Sequence, residues 1–153
     1  MDKPLVMGII NATPDSFFEG HHGKGIDAVL SIAGSMLADG AAIVDIGGQS
    51  TRPGSQRISA DEEISRVIPV IESIIQQHPY AIISSDTYYS KVAREAVHAG
   101  ASIINDISAG DMDAEMLATA AALQVPYIAM HMQGSPETMQ LHPAYTNVTK
   151  EVL

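Results

Sequence analysis

Apolar and polar positions along the chain fall into two alternating patterns. Leu5–Ile10 is a short apolar run bounded by turn formers, as expected of a buried strand. Ile26, Val29, Leu30, Ala33 and Leu37 then recur at helical spacing, and Asp39-Gly40 supplies a stop. The alternation continues through strands at Ala41–Ile46, Tyr80–Ser84, Ala101–Ile104 and Val125–Met130. Between them, Ser59-Ala-Asp-Glu62 has the spacing of a capping box and opens a helix whose apolar stripe is Ile64, Val67, Ile68, Ile71, Ile74 and Ile75. Pro69 lies inside that stripe and predicts a bend or a boundary. Val92, Ala93, Ala96 and Val97 mark a helix stopping at Gly100; Met116, Leu117, Ala120 and Ala121 mark another; Tyr145–Leu153 begins one more.

Strict β-α alternation implies parallel strands joined by helical crossovers. An open doubly wound sheet and a (β/α)8 barrel both satisfy it. The strand ends favour the barrel. Asn11, Asp45, Asp86, Asn105-Asp106 and His131 place a polar group at the C-terminal end of every strand. A barrel gathers such ends around one pocket, whereas an open sheet shares a crevice only at its switch point. Each residue also has a plainer reading. Asp45 could brace a turn, Thr87 could cap a helix, His131 could be a hydrogen-bonded interior histidine, and His21-His22 could be solvated loop residues.

Composition narrows the function classes. The chain has 153 residues, 46% hydrophobic and 17% charged, which suits one globular domain over 1–153. A formal net charge of −10 with eight Lys and Arg argues against a nucleic-acid surface. With no Cys, thiolate metal sites and disulfides are excluded, which fits a reducing, cytoplasmic setting. No signal peptide is expected at Met-Asp-Lys-Pro, and no apolar run approaches the roughly 20 residues of a membrane helix.

The segments MGIINATPDSFFEG (7–20), DIGGQSTRPGS (45–55), SDTYYSKVA (85–93), INDISAG (104–110) and MHMQGSP (130–136) resemble, in order and spacing, successive motifs of the dihydropteroate synthases. The resemblance implies a pterin-binding (β/α)8 TIM barrel, truncated here to about its first five βα units. Such enzymes condense 6-hydroxymethyl-7,8-dihydropterin pyrophosphate with p-aminobenzoate and release pyrophosphate. The resemblance implies that Asn11 binds Mg²⁺, and that Thr51 and Arg52 lie near p-aminobenzoate and pyrophosphate. It implies that Asp86 and Asn105 hold the pterin, that Ile107 and Met130 contact its face, and that Asp15, Glu19 and Arg52 are catalytic. It further implies small-molecule substrates, Mg²⁺ as cofactor and a homodimeric complete enzyme.

Two departures stand out. Glu19 replaces an Asp of the first loop, and Gln49 stands where Glu is common, so that position does not need a charge. A barrel of this kind takes about 250 residues, and the family's later motifs have no counterpart in these 153. The 153-residue polypeptide alone is therefore expected to be inactive. A pterin-binding methyltransferase, or a non-catalytic pterin-binding unit, are the alternative readings.

Overall fold

A computed structural model describes residues 3–13, 24–49, 57–135, 138–141 and 143–153. The elements run β1 (Met7–Asn11), α1 (Lys24–Ala38), β2 (Ile43–Gly47), α2 (Ala60–Gln77), β3 (Ile82–Asp86), α3 (Ser90–His98), β4 (Ile103–Asp106), α4 (Met116–Leu123), β5 (Tyr127–Ala129) and α5 (Val148–Val152). All strand pairs are parallel, and the sheet order is β1-β2-β3-β4-β5. Each strand therefore lies beside its sequence neighbours. A doubly wound sheet reverses its order at a switch point; this sheet does not, and its strands follow chain order as those of a barrel do.

The helix stops follow the sequence. Gly40 and Gly100 adopt φ of +100° and +118°, a region where a side chain would be strained. Each is followed by a residue whose N–H reaches back into the helix: Ala41 to Met36 O at 2.9 Å and Ala101 to Ala96 O at 2.9 Å. Ser59 caps α2 by accepting from Glu62 N at 3.2 Å, as its spacing predicts. Pro69 does not interrupt α2. Pro69 and Ser65, the residue whose carbonyl loses its helical donor, are both exposed, so water can take the freed acceptor.

One face of the sheet packs on the helices. Ile10, Val44, Ile46, Ile83 and Ile104 are buried there, against Val29, Ala33, Val67, Ile71, Ile74, Val92 and Met116. Residues of opposite parity occupy the other face. There Ile9, Ile82, Ile128 and Met130 are exposed by 61%, 44%, 39% and 36%. That second face would line the interior of a closed barrel. No helix among the described residues is long and apolar enough to cross a membrane.

Candidate active site at the C-terminal edge of the sheet

β3 and β4 run two residues past the apolar runs that end at Ser84 and Ile104, β1 and β2 run one residue past Ile10 and Ile46, and β5 ends one residue before Met130. Asp45 lies in mid-strand and braces no turn, and Asp86, Asn105 and Asp106 belong to the ladder itself. The register sets Asn11 beside Gly47, Gly47 beside Asp86, and Asp86 beside Asn105. Register partners on parallel strands share a face, so Asn11, Asp86 and Asn105 line one edge across four strands.

Gly47 is the gap in that line. A Cβ at this position would stand 3.2 Å from Oδ2 of Asp86 and 3.7 Å from Oδ1 of Asn11. The missing side chain thus leaves a cleft with an oxygen on each side. Asn105 Nδ2 donates to Oδ2 of Asp45 at 3.1 Å, tying the edge to the layer beneath it. Asp86 is a strongly perturbed acid. Burial, then the charges of Asp45 and Asp106, push it up to about 7. Burial also raises Asp45, with Ser84 and Asn105 partly offsetting it.

Asp106 is buried and fully engaged. It accepts from Ser108 N and Oγ at 2.7 and 2.8 Å, from Gly110 N at 2.9 Å and from the Tyr127 hydroxyl at 2.7 Å. It shapes the loop after β4, which carries the half-buried Ile107. Met130 N donates to Asp106 O at 3.0 Å, which sets Met130 just past β5 on the face that Asn105 and Ile128 share. His131 differs from the interior histidine its apolar neighbours suggested. It is exposed, with its ring 5.6 Å from that of Tyr145. Thr87 does not cap α3; its hydroxyl accepts from Tyr89 N at 3.1 Å, and the Ser90 amide is taken by Asp113 at 2.7 Å. Asp15, Glu19, Thr51 and Arg52, with His21 and His22, lie outside the described residues.

A buried network behind the cleft escaped the sequence reading. Gln49 Nε2 donates to Oε2 of Glu63 at 2.9 Å, and the Tyr88 hydroxyl donates to Oε1 of Gln49 at 2.9 Å. These bonds fasten the end of β2 to α2 and to the loop after β3. An amide suits position 49 because it must donate to one neighbour and accept from the other. Glu63 is pushed up to about 7, chiefly by burial, with Thr87 and Arg66 pulling down and the charge of Asp86 pushing up. Further along, Arg57 Nε donates to the Tyr89 hydroxyl at 2.8 Å and stacks over Tyr88 and Tyr89 at 4.8 and 5.1 Å. Both described ends of the β2–α2 connection are thus held by the Tyr88-Tyr89 pair. A shallow cavity of about 540 Å³ lies in the outer layer between α1 and the end of α2, lined partly by Asp27, Ser31 and His78. None of the perturbed acids of the sheet edge borders it.

Sequentially ordered parallel strands with perturbed acids and amides along their C-terminal edge are the arrangement of (β/α)8 barrels, in which sites are built at that edge. Within that class, the chain belongs to the pterin binding enzyme family, whose profile matches residues 7–153. It is 54% identical over 130 residues to the dihydropteroate synthase of Bacillus subtilis, covering 85% of this chain and 45% of that protein. It is 51% identical to the mitochondrial folate synthesis bifunctional protein of Pisum sativum, covering 98% of this chain and 30% of the pea protein. The fold matches Yersinia pestis dihydropteroate synthase in a sulfonamide drug complex, with a TM-score of 0.86, 43% identity, and coverage of 97% of this chain and 54% of that one. It also matches the Xanthomonas albilineans synthase with 4-aminobenzoic acid at a TM-score of 0.84 and 42% identity, covering 99% and 52%. The chain spans about half the length of these synthases and less of the bifunctional protein.

Proposed function

We propose that the protein is a dihydropteroate synthase of folate biosynthesis, and that residues 1–153 form one incomplete pterin-binding barrel domain carrying part of its site. The observation that carries this reading is the line Asn11, Gly47, Asp86 and Asn105 along the strand ends, two oxygens flanking a glycine-lined cleft. In the reaction, the amine of p-aminobenzoate forms a C–N bond to the pterin methylene while the bond to pyrophosphate breaks and the amine loses a proton. Asp86 accepts N–H groups of the pterin, and the Asn105 amide holds the ring beside it. Ile107 and Met130 supply apolar contact to its faces. Thr51 and Arg52 bind p-aminobenzoate and pyrophosphate, and Asp15 and Glu19, in the first loop, help to close the site.

Asn11 offers a neutral oxygen at the mouth of the cleft, a donor that suits Mg²⁺. When bound, the cation offsets charge on the departing pyrophosphate. Asn11 is a single anchor, which fits a cation that takes its other ligands from phosphate and water. The complete enzyme is read as a cytoplasmic homodimer of small-molecule chemistry, with no nucleic-acid or membrane partner. A coupled assay of pyrophosphate release tests the function. Release that requires both p-aminobenzoate and the dihydropterin pyrophosphate supports it; release independent of p-aminobenzoate, or none from a chain that carries the complete barrel (below, the full-length protein), rejects it.

A further inference from the structure

Asp45 has no part in the function proposed above, yet β2 buries its carboxyl in mid-strand, with the residue 3% exposed. One of its oxygens accepts from Asn105 Nδ2 at 3.1 Å, and the Ser84 side chain beside it also favours its ionised form. Taking a carboxyl out of water is unfavourable, so its presence at this position calls for a physical reason. The geometry supplies one. Asp45 is in register with Ser84 and Asn105 with Asp86, so the Asn105 side chain reaches Asp45 diagonally across β3. The small Ser84 side chain leaves that diagonal open.

A side-chain amide has one donor end and one acceptor end, and an ionised carboxylate only accepts. Asp45 therefore takes one N–H of the Asn105 amide, which fixes the direction in which its donor end lies and leaves the carbonyl oxygen for a ligand. Asp86, the neighbour of Asn105 in the ladder, is itself an acceptor when ionised. We propose that Asp45 is a positioning residue that fixes the orientation of the Asn105 amide, so that the Asp86–Asn105 edge accepts hydrogen bonds and selects a heterocycle edge bearing N–H donors. This inference rests on the pterin reading and specifies how that site tells ligands apart. A 2-amino-4-oxo pteridine presents the 2-amino and N3–H donors on its pyrimidine edge. Its 2-deamino counterpart, with hydrogen in place of the amino group, loses that donor and gains none, so an acceptor of the site is left unpaired.

The test is calorimetric titration of the full-length protein with 6-hydroxymethyl-7,8-dihydropterin and with its 2-deamino counterpart. Wild type, Asp45→Asn and Asp45→Ala are compared at one pH, about one pH unit above the Asp86 midpoint. Wild type should prefer the amino compound by about a hundredfold or more, the scale expected when buried acceptors lose a donor. In Asp45→Ala the preference should narrow about tenfold, because Asn105 can then turn either end to the ligand. Asp45→Asn, close in shape and still able to accept, should narrow it less, and it serves if the alanine variant does not fold. A merely structural role would lower both affinities together and leave their ratio unchanged. A ratio within twofold of wild type in the folded variants, with wild type still binding the dihydropterin, overturns the inference and leaves the pterin reading standing. Failure of wild type to bind the dihydropterin at all overturns both.

Discussion

Asp86 combines the two properties expected of a binding acid in this cleft, an oxygen at the edge of Gly47 and a proton affinity near neutrality. With its carboxyl raised to about 7, the ligand-free protein holds it about half protonated at neutral pH. A ligand that donates N–H groups needs the ionised form. Dihydropterin affinity should therefore be flat above pH 7 and fall about tenfold per pH unit below it, as binding must first remove a proton. Asp86→Asn should lower affinity by about one to two orders of magnitude, the worth of a charge-assisted hydrogen bond, and flatten the low-pH limb. Calorimetric titration across pH decides this; an unchanged profile would return Asp86 to a structural role. Asn11 is exposed and bears no buried packing. Asn11→Ala should accordingly leave stability within about 0.5 kcal/mol while raising the Mg²⁺ concentration needed for turnover. Wild-type turnover at limiting Mg²⁺ would remove Asn11 from the metal site.

At the scale of elements, α2 shows how a buried acid can serve packing and the site together. Glu63 is 0% exposed, and it holds Gln49 behind the cleft. Its folded-state value is raised from 4.5 to about 7, so the native state binds its proton more tightly than the unfolded chain does. That contribution to stability is fully present below about pH 4.5 and is lost as pH rises through about 7. Glu63→Gln keeps a hydrogen-bonding side chain without the charge. It should stabilise the full-length protein by about 1–3 kcal/mol at pH 8 and by little at pH 4, since a tenfold difference in proton affinity between folded and unfolded chains is worth about 1.4 kcal/mol. Urea midpoints at the two pH values check the difference; equal effects at both would show that Glu63 is not the titrating group. The element order, the helix stops and the capping by Ser59 were all legible in the sequence, because periodicity, Gly and Ser act locally. Strand ends were not. The apolar runs stop at Ser84 and Ile104, but the ladder hydrogen-bonds the backbone and continues through Asp86 and Asp106. The Gln49–Glu63–Tyr88 network joins residues 14 and 39 positions apart, beyond the reach of any local signal. Of the candidate site, Asn11, Asp86 and Asn105 were singled out from the strand ends and the motif resemblance, and the register brings them to one edge. The supporting role of Asp45 required the contact itself.

At the scale of the whole molecule, the sheet has two unlike faces. Parallel sheets are ordinarily covered on both. Here the helix-facing side is buried, while Ile9, Ile82, Ile128 and Met130 on the other side are exposed. Leu5 and Val6, leading into β1, are exposed by 59% and 64%. Among the described residues, β1 and β5 each pair on one side only, leaving open ladders flanked by apolar side chains. In a closed (β/α)8 barrel, further strands would pair with both edges and side chains would fill the interior. A polypeptide limited to residues 1–153 has neither, and exposed apolar surface of this kind drives association. Such a polypeptide should therefore self-associate or aggregate and should not turn over, whereas the full-length protein should be well behaved. Light scattering with the pyrophosphate-release assay makes the comparison. A monodisperse monomer of residues 1–153, turning over at the full-length rate, would show that these five strands bury their second face without the rest of a barrel and would refute the assignment of that face to a barrel interior.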